Sequence, residues 1–347
     1  AGDAEVTMEM DPGTFDSQKL QGFLSAGVNR ISLGVQSLDD DVLNAAGRPH
    51  SAKDALEAVE RVHRAGVDNW SMDLMGGLPS QSPGGWEKTL EETIGMRPAH
   101  VSVYDLQVEA STAFGKWYSE GEAPLPSLDS TADQFIEASR RLGAAGYEHY
   151  EVSNYAARPA LRSQHNSAYW KRKPFLGLGM GATSFLSGRR YSRPRTLEAY
   201  EAWVDALCSN DVMRLSDDPL RFSLATADGE QLPSFLDTVQ EDIMLALRTK
   251  DGLDLHAFLR RAVPPVKAAS RTVPPPPPHG GDGRAAVSLQ RAELKEAVMH
   301  ALGPFIDAGL VSLTPASVIT LEDPHGFLLS NQVISSVFAA VESLVDE

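Results

Sequence analysis

Acidic and amide side chains recur at or just beyond the ends of strand-like runs in this 347-residue chain. Glu9 and Asp11 close the run that starts at Val6, Gln36 closes the run from Arg30, and Asp73 interrupts the run from Trp70. Asp105, Gln107 and Glu109 end or follow the run from His100, and Glu151 lies at the end of the run from Glu148. Carboxylates and amides placed this way can hydrogen-bond the hydroxyls and amines of a polar ligand; the same residue types also cap loops and helices. A second constellation is His165-Asn166-Ser167-Ala168-Tyr169-Trp170, in a polar stretch that reads as a loop. An imidazole beside two large aromatics can ligate iron axially while the rings cover a flat macrocycle; a hydrogen-bonded structural histidine is the other reading. Gly177-Leu-Gly-Met-Gly181 lacks the spacing and the strand-then-helix context of a dinucleotide fingerprint, so close backbone approach is its expected role. Gly76-Gly77-Leu78-Pro79 lets the chain turn sharply at a strand's end, where a ligand can come close.

The elements that must position these residues repeat. Ala26-Gly27-Val28, Ala65-Gly66-Val67 and Ala145-Gly146-Tyr147 each follow a helix-like stretch and precede a strand-like run. Glycine after a helix is the usual left-handed stop, and a strand after each stop predicts parallel strands joined by crossover helices. In a barrel of this kind the carboxyl ends of the strands carry the active site. Helices are expected over 17–24, 39–46, 52–65, 85–96 and 131–144, with Ala55, Val59, Val62 and Ala65 near one face of the third. The segment 153–195 mixes aromatic, basic and glycine residues and is expected to fold irregularly over one end of the sheet. Beyond about residue 238 short helices precede two short strands, the pattern of a small helical or winged-helix-like module. Residues 264–283 hold five consecutive prolines and read as a disordered insertion.

Composition narrows the function classes. The net charge is −16, and the one dense basic cluster, Lys171-Arg172-Lys173 with Arg189, Arg190, Arg193 and Arg195, is short and local. This argues against nucleic acid as the main partner. No apolar run approaches the roughly 20 residues that cross a bilayer, so no transmembrane segment is expected. The single cysteine, Cys208, cannot supply a disulfide or a multi-cysteine metal site, and its helical context reads as a small hydrophobe.

Taken in order, several strings resemble the oxygen-independent coproporphyrinogen III oxidase-like family of radical S-adenosylmethionine (SAM) proteins. They are Val6-Thr-Met-Glu-Met-Asp-Pro-Gly-Thr14, Gly27-Val-Asn-Arg-Ile-Ser-Leu-Gly-Val-Gln-Ser37, Gly47-Arg48-Pro49-His50, Asp73-Leu-Met-Gly-Gly-Leu-Pro79, Tyr150-Glu-Val-Ser-Asn154, His165-Asn-Ser-Ala-Tyr-Trp170 and Gly177-Leu-Gly-Met-Gly-Ala182. The His-Asn-x-x-Tyr-Trp string is similar to that of the haem-chaperone branch, where it is implicated in haem binding. The resemblance implies an α/β fold: a partial (β/α) barrel over 1–210 lacking its first two βα units, and a small C-terminal helical or winged-helix-like domain over 211–347. It implies SAM contacts at Glu9, Gln36, Arg48 and Asp73, with Gln107 at a less specific place, and haem at His165. It also implies a [4Fe–4S] cluster, whose reduced form cleaves SAM to an adenosyl radical in the family, chemistry that belongs to the cofactor.

The family's Cys-x-x-x-Cys-x-x-Cys loop and its Gly-Gly-Gly-Thr-Pro loop are absent from this chain. The expectation is a fragment of a longer protein, or else a cluster-less relative, inactive in radical chemistry as it stands. The function implied is haem chaperoning: binding haem and SAM and passing haem to acceptor proteins. Its alternative is oxidative decarboxylation of coproporphyrinogen III in porphyrin biosynthesis. The compartment implied is the cytoplasm, or a mitochondrion or plastid where a transit peptide lies upstream.

Overall fold

The computed structural model describes residues 4–209, 234–262 and 291–346. The proline-rich stretch 264–283 and the expected domain boundary near residue 210 lie outside them. The first part is a six-stranded sheet: β1 (Thr7–Met10), β2 (Arg30–Gln36), β3 (Trp70–Gly76), β4 (His100–Asp105), β5 (Glu148–Glu151) and β6 (Asn154–Ala156), in the order β1-β2-β3-β4-β6-β5. Strands β1 to β4 pair in parallel through crossovers holding α1 (Ser17–Ser25), α2 (Asp40–Ala45), α3 (Ala52–Arg64) and α4 (Gly85–Met96). The loop after β4 carries α5 (Ala113–Trp117), and α6 (Leu128–Ala144) leads into β5. The three glycine stops are present, with φ of 106° at Gly27, 71° at Gly66 and 90° at Gly146, values that cost glycine nothing and other residues more.

The strands alternate between two kinds of face. Ile31, Leu33, Val35, Trp70, Met72, Leu74, Val101 and Val103 are buried in one core cluster with Leu20 of α1, Ala55, Val59 and Val62 of α3, Leu90 of α4 and Leu142 of α6. Each large side chain so buried contributes about 1.5–3 kcal/mol. The in-between positions, Thr7, Glu9, Arg30, Ser32, Ser71, Asp73, His100, Ser102 and Tyr104, are polar. Since side chains alternate across a strand with a period of two, these residues share the opposite face, the inner wall of a (β/α) barrel.

Two segments depart from the sequence-based expectation. The stretch after Glu151 is not irregular throughout: β6 inserts between β4 and β5 and pairs antiparallel with both. Strand β5 therefore has the direction of β4 but is not its neighbour. His165 lies not in a loop but on a helix, α7 (Gln164–Trp170), whose N-cap Ser163 accepts from the Asn166 backbone N–H. Beyond it, β7 (Thr183–Leu186) and β8 (Arg189–Ser192) form a hairpin, followed by α8 (Leu197–Ser209). A Cβ on Gly177 would lie 2.4 Å from the Thr183 carbonyl oxygen, so the glycine-rich string permits close backbone packing there.

The C-terminal module comprises α9 (Phe235–Leu247), β9 (Leu253–Asp254), α10 (Leu255–Ala262), α11 (Arg291–Asp307), β10 (Val311–Leu313), β11 (Val318–Leu321), α12 (His325–Leu328) and α13 (Ser330–Asp346). Its three short strands pair in the order β10-β11-β9. It has its own core, around Ile243, Phe258, Val298, Leu302, Ile319, Phe327 and Val337, which Phe135 of α6 joins. The joint is polar as well as apolar: Asp323 accepts from Ser139 Oγ at 2.7 Å and meets His149 Nδ1 at 2.7 Å. Burial is the largest single influence on the Asp323 carboxylate and works to raise its pKa, but the hydrogen bonds with His149 and Ser139 and the nearby positive charge of Lys250 together outweigh it and hold the pKa below the usual range.

Candidate functional site

A cavity of about 550 Å³ opens on the polar face of the sheet. Glu9, Arg30, Ser32, Asp73, Ser102 and Tyr104 line its floor, and Ser163, Gln164, His165 and Asn166 of α7 line its wall. Two of the expected SAM residues and the expected haem ligand thus border one space. Asp73 is the best-supported group in it. Its carboxylate accepts from Ser102 Oγ at 2.7 Å, Ser32 Oγ at 2.9 Å and Ser71 Oγ at 3.2 Å, one serine from each of three adjacent strands. Burial raises its pKa, and the three hydroxyls oppose that shift. Glu9 is exposed at the cavity's edge.

Gln36 and Arg48 form a second cluster. Strand β2 carries a bulge between Leu33 and Gln36, and Gln36 takes a left-handed φ of 66°, a local distortion of the kind that re-aims a side chain. Arg48 pairs with Asp11 at 2.6 Å. Both groups close over Gly34, where a Cβ would lie 2.9 Å from Asp11 Oδ1 and 3.4 Å from Gln36 Nε2. Gln36 Oε1 and Arg48 Nε are buried without hydrogen-bond partners. An unpaired buried acceptor beside an unpaired buried donor fits a polar ligand that supplies both partners, as SAM does with its hydroxyls, amine and carboxylate.

The other strand-end residues separate. Gln107 and Glu109 are exposed in the loop after β4 and do not line the cavity. Asp105 sits beside Gly76, and burial raises its pKa. Glu151 is buried, accepts from the Ser153 backbone N–H and the Asn154 amide, and is pushed up to about 7 by burial. Sequence reasoning missed Arg30, Ser32, Ser71, His100 and Ser102. The available signal was the alternation Arg30-x-Ser32, Ser71-x-Asp73 and His100-x-Ser102-x-Tyr104, which places polar residues on one face of three neighbouring strands.

On α7, His165 is exposed and meets Tyr169 edge-on at 4.7 Å, and Tyr169 meets Phe175 at 4.6 Å. Trp170 faces elsewhere: it lines a separate groove of about 750 Å³ with Arg172, Phe185 and Asp242. The motif therefore offers the His165 imidazole to the cavity, while Tyr169 packs between His165 and Phe175 and Trp170 lines the other groove. The cysteine ligands that usually hold a [4Fe–4S] cluster are not available from this sequence. It holds one cysteine, and the described residues contain no group of three His, Cys, Asp or Glu able to hold a metal ion.

Residues 1–93 match the model of the radical SAM superfamily. The haem chaperone HemW of Synechocystis sp. is 34% identical over 343 residues, covering 99% of this chain and 76% of that protein. The mitochondrial radical S-adenosyl methionine domain-containing protein 1 of Bos taurus is 36% identical over 251 residues, 72% of this chain and 55% of that protein. The chain thus spans between about half and three quarters of the length of these two relatives. In fold it resembles the solved structure of coproporphyrinogen III oxidase (HemN) from Escherichia coli, a radical SAM enzyme. The TM-score is 0.70 and the identity 19%, with 98% of this chain and 70% of that one covered. With residues 1–93 matching the radical SAM superfamily and a relative 34% identical along nearly its whole length, the chain belongs to the HemW family of radical SAM proteins.

Proposed function

We propose that this chain is the haem- and SAM-binding part of a haem chaperone, which holds haem through His165 and passes it to acceptor proteins. The carrying observation is the shared cavity, in which a helix bearing a histidine forms the wall of a pocket floored by Glu9 and Asp73. In this reading haem is cargo. The His165 imidazole would supply a nitrogen ligand to the haem iron, and Tyr169 packs edge-on against that imidazole. SAM is held at the strand ends by Glu9, Gln36, Arg48 and Asp73, while Gln107 stays outside the cavity, exposed in the loop after β4. When bound together with a cluster, SAM supplies radical chemistry in this superfamily. This chain's residues bind and orient it: Asp73 accepts hydrogen bonds from its polar groups, and Arg48 and Gln36 provide a donor and an acceptor over Gly34. The working compartment is the cytoplasm, or the mitochondrion as for the bovine relative.

Oxidative decarboxylation of coproporphyrinogen III is the second reading, favoured by the fold shared with HemN. It has no use for an axial ligand, because its substrate holds no iron. Hemin titration followed in the Soret band tests the first reading. Wild-type chain should give a saturable shifted band, and His165→Ala should weaken binding about tenfold or more, as expected for loss of a ligand bond. An identical titration in the variant would remove His165 from the haem site.

A further inference from the structure

A chain of hydrogen bonds crosses the sheet from Asp73 to the start of α7. The Ser163 backbone N–H donates to the Tyr150 hydroxyl oxygen at 3.2 Å. The Tyr150 hydroxyl lies 2.9 Å from His100 Nε2, and His100 Nδ1 lies 2.9 Å from Ser71 Oγ. Ser71 Oγ lies 3.2 Å from Asp73 Oδ1. One set of proton positions satisfies all four contacts. An ionised Asp73 only accepts, so Ser71 donates to it and accepts from His100 Nδ1–H. His100 Nε2 is then an acceptor for the Tyr150 hydroxyl, whose oxygen keeps a lone pair for the Ser163 N–H.

The burial of the intermediates supports that pattern. Ser71 and His100 are fully buried and Tyr150 nearly so, which leaves each to be satisfied by its neighbours rather than by water. Burial holds the His100 pKa down to about 3, so the ring is neutral and Nε2 is free to accept; it pushes the Tyr150 phenol well up, so its proton stays. All four donors point toward Asp73, and hydrogen bonds aligned in one direction polarise one another. A chain that only satisfied buried polar groups would have no reason to end on two functional elements. This one begins at the N-cap of the helix that carries His165 and ends on the carboxylate at the cavity floor.

We infer that Ser71, His100 and Tyr150 are positioning residues that couple the state of the Asp73 carboxylate to the N-terminus of α7, and so to His165 two residues on. The biological meaning of this coupling rests on the proposed roles of Asp73 and His165. A ligand that draws on the Asp73 carboxylate weakens its hold on Ser71, and the loss passes through His100 and Tyr150 to the Ser163 amide. By linkage, a ligand that reorders α7 alters Asp73's affinity for its own partner by the same factor.

Amide hydrogen exchange of the 163–170 segment, measured without ligand, tests the coupling in the wild-type chain, Asp73→Asn, Tyr150→Phe and the double variant. The expected result is that Asp73→Asn speeds exchange about two- to tenfold, the change worth one hydrogen bond, and has no further effect once Tyr150→Phe is present. Ser71→Ala breaks the chain at another link and takes the place of Tyr150→Phe should that variant fail to fold. An Asp73→Asn effect that is absent, or equally large in both backgrounds, overturns the inference. Hemin titration of the same proteins separates the two claims. Haem binding indifferent to His165→Ala ends the haem reading while leaving the exchange result standing, whereas additive exchange effects end the coupling and leave the haem reading intact.

Discussion

The polar wall of the sheet sets the titration behaviour of its acids through burial more than through charge pairing. Glu151 is the clearest case, since burial raises its pKa from 4.5 to about 7. Folding therefore favours its protonated form: the associated stability is full below about pH 4.5 and is lost as pH rises through 7. A shift of this size corresponds to about 3 kcal/mol at most. Glu151→Gln, which keeps the shape and removes the ionisation, should flatten the fall in melting temperature between pH 5 and pH 8. An unaltered fall would assign the pH dependence to Asp73 and Asp105, which burial shifts in the same direction. Glu9, Gln36 and Asp73 were legible in the sequence because each interrupts or ends an apolar run. Ser71, His100 and Tyr150 were not. A serine or histidine in an alternating strand does not announce a partner, and the partners of His100 are 29 and 50 residues away.

Local rules read most of the elements correctly. The Ala-Gly-hydrophobic stops located the ends of α1, α3 and α6, and the strand that follows each of them is present. Helix α3 also carries a capping box between Ser51 and Asp54. Several short elements escaped, two of them beside the site. Strand β6 is three residues long and is stabilised by pairing on both sides, which no local pattern reveals. Helix α7 has seven residues, well below the roughly 12–15 at which an isolated helix persists. It depends on tertiary supports: the Ser163 cap, the Tyr150 hydroxyl on the Ser163 amide and the Glu5 carboxylate on the Gln164 amide. Ser163→Ala should cost the helix about 1 kcal/mol and weaken haem binding. A variant with unchanged haem affinity would show that α7 does not need its cap to present His165.

At the scale of the whole molecule, two separately cored parts meet at α6 and β5, where Phe135, Ser139 and His149 receive Phe327 and Asp323. The cavity floor comes from the sheet, its wall comes from α7, and Arg172 just beyond α7 pairs with Glu241 and Asp242 of α9. The helix carrying His165 is thus tied to both parts. The family fold alone does not separate haem chaperoning from coproporphyrinogen oxidation, because the fold is shared with HemN. Iron does separate them, because only haem can use an axial histidine. The most direct measurement is therefore equilibrium binding of hemin, iron-free protoporphyrin IX and coproporphyrinogen III to the same chain. The chaperone account predicts hemin tightest, by about tenfold or more over the iron-free ring, the worth of one ligand bond. Preference for coproporphyrinogen III, or equal binding with and without iron, would contradict it.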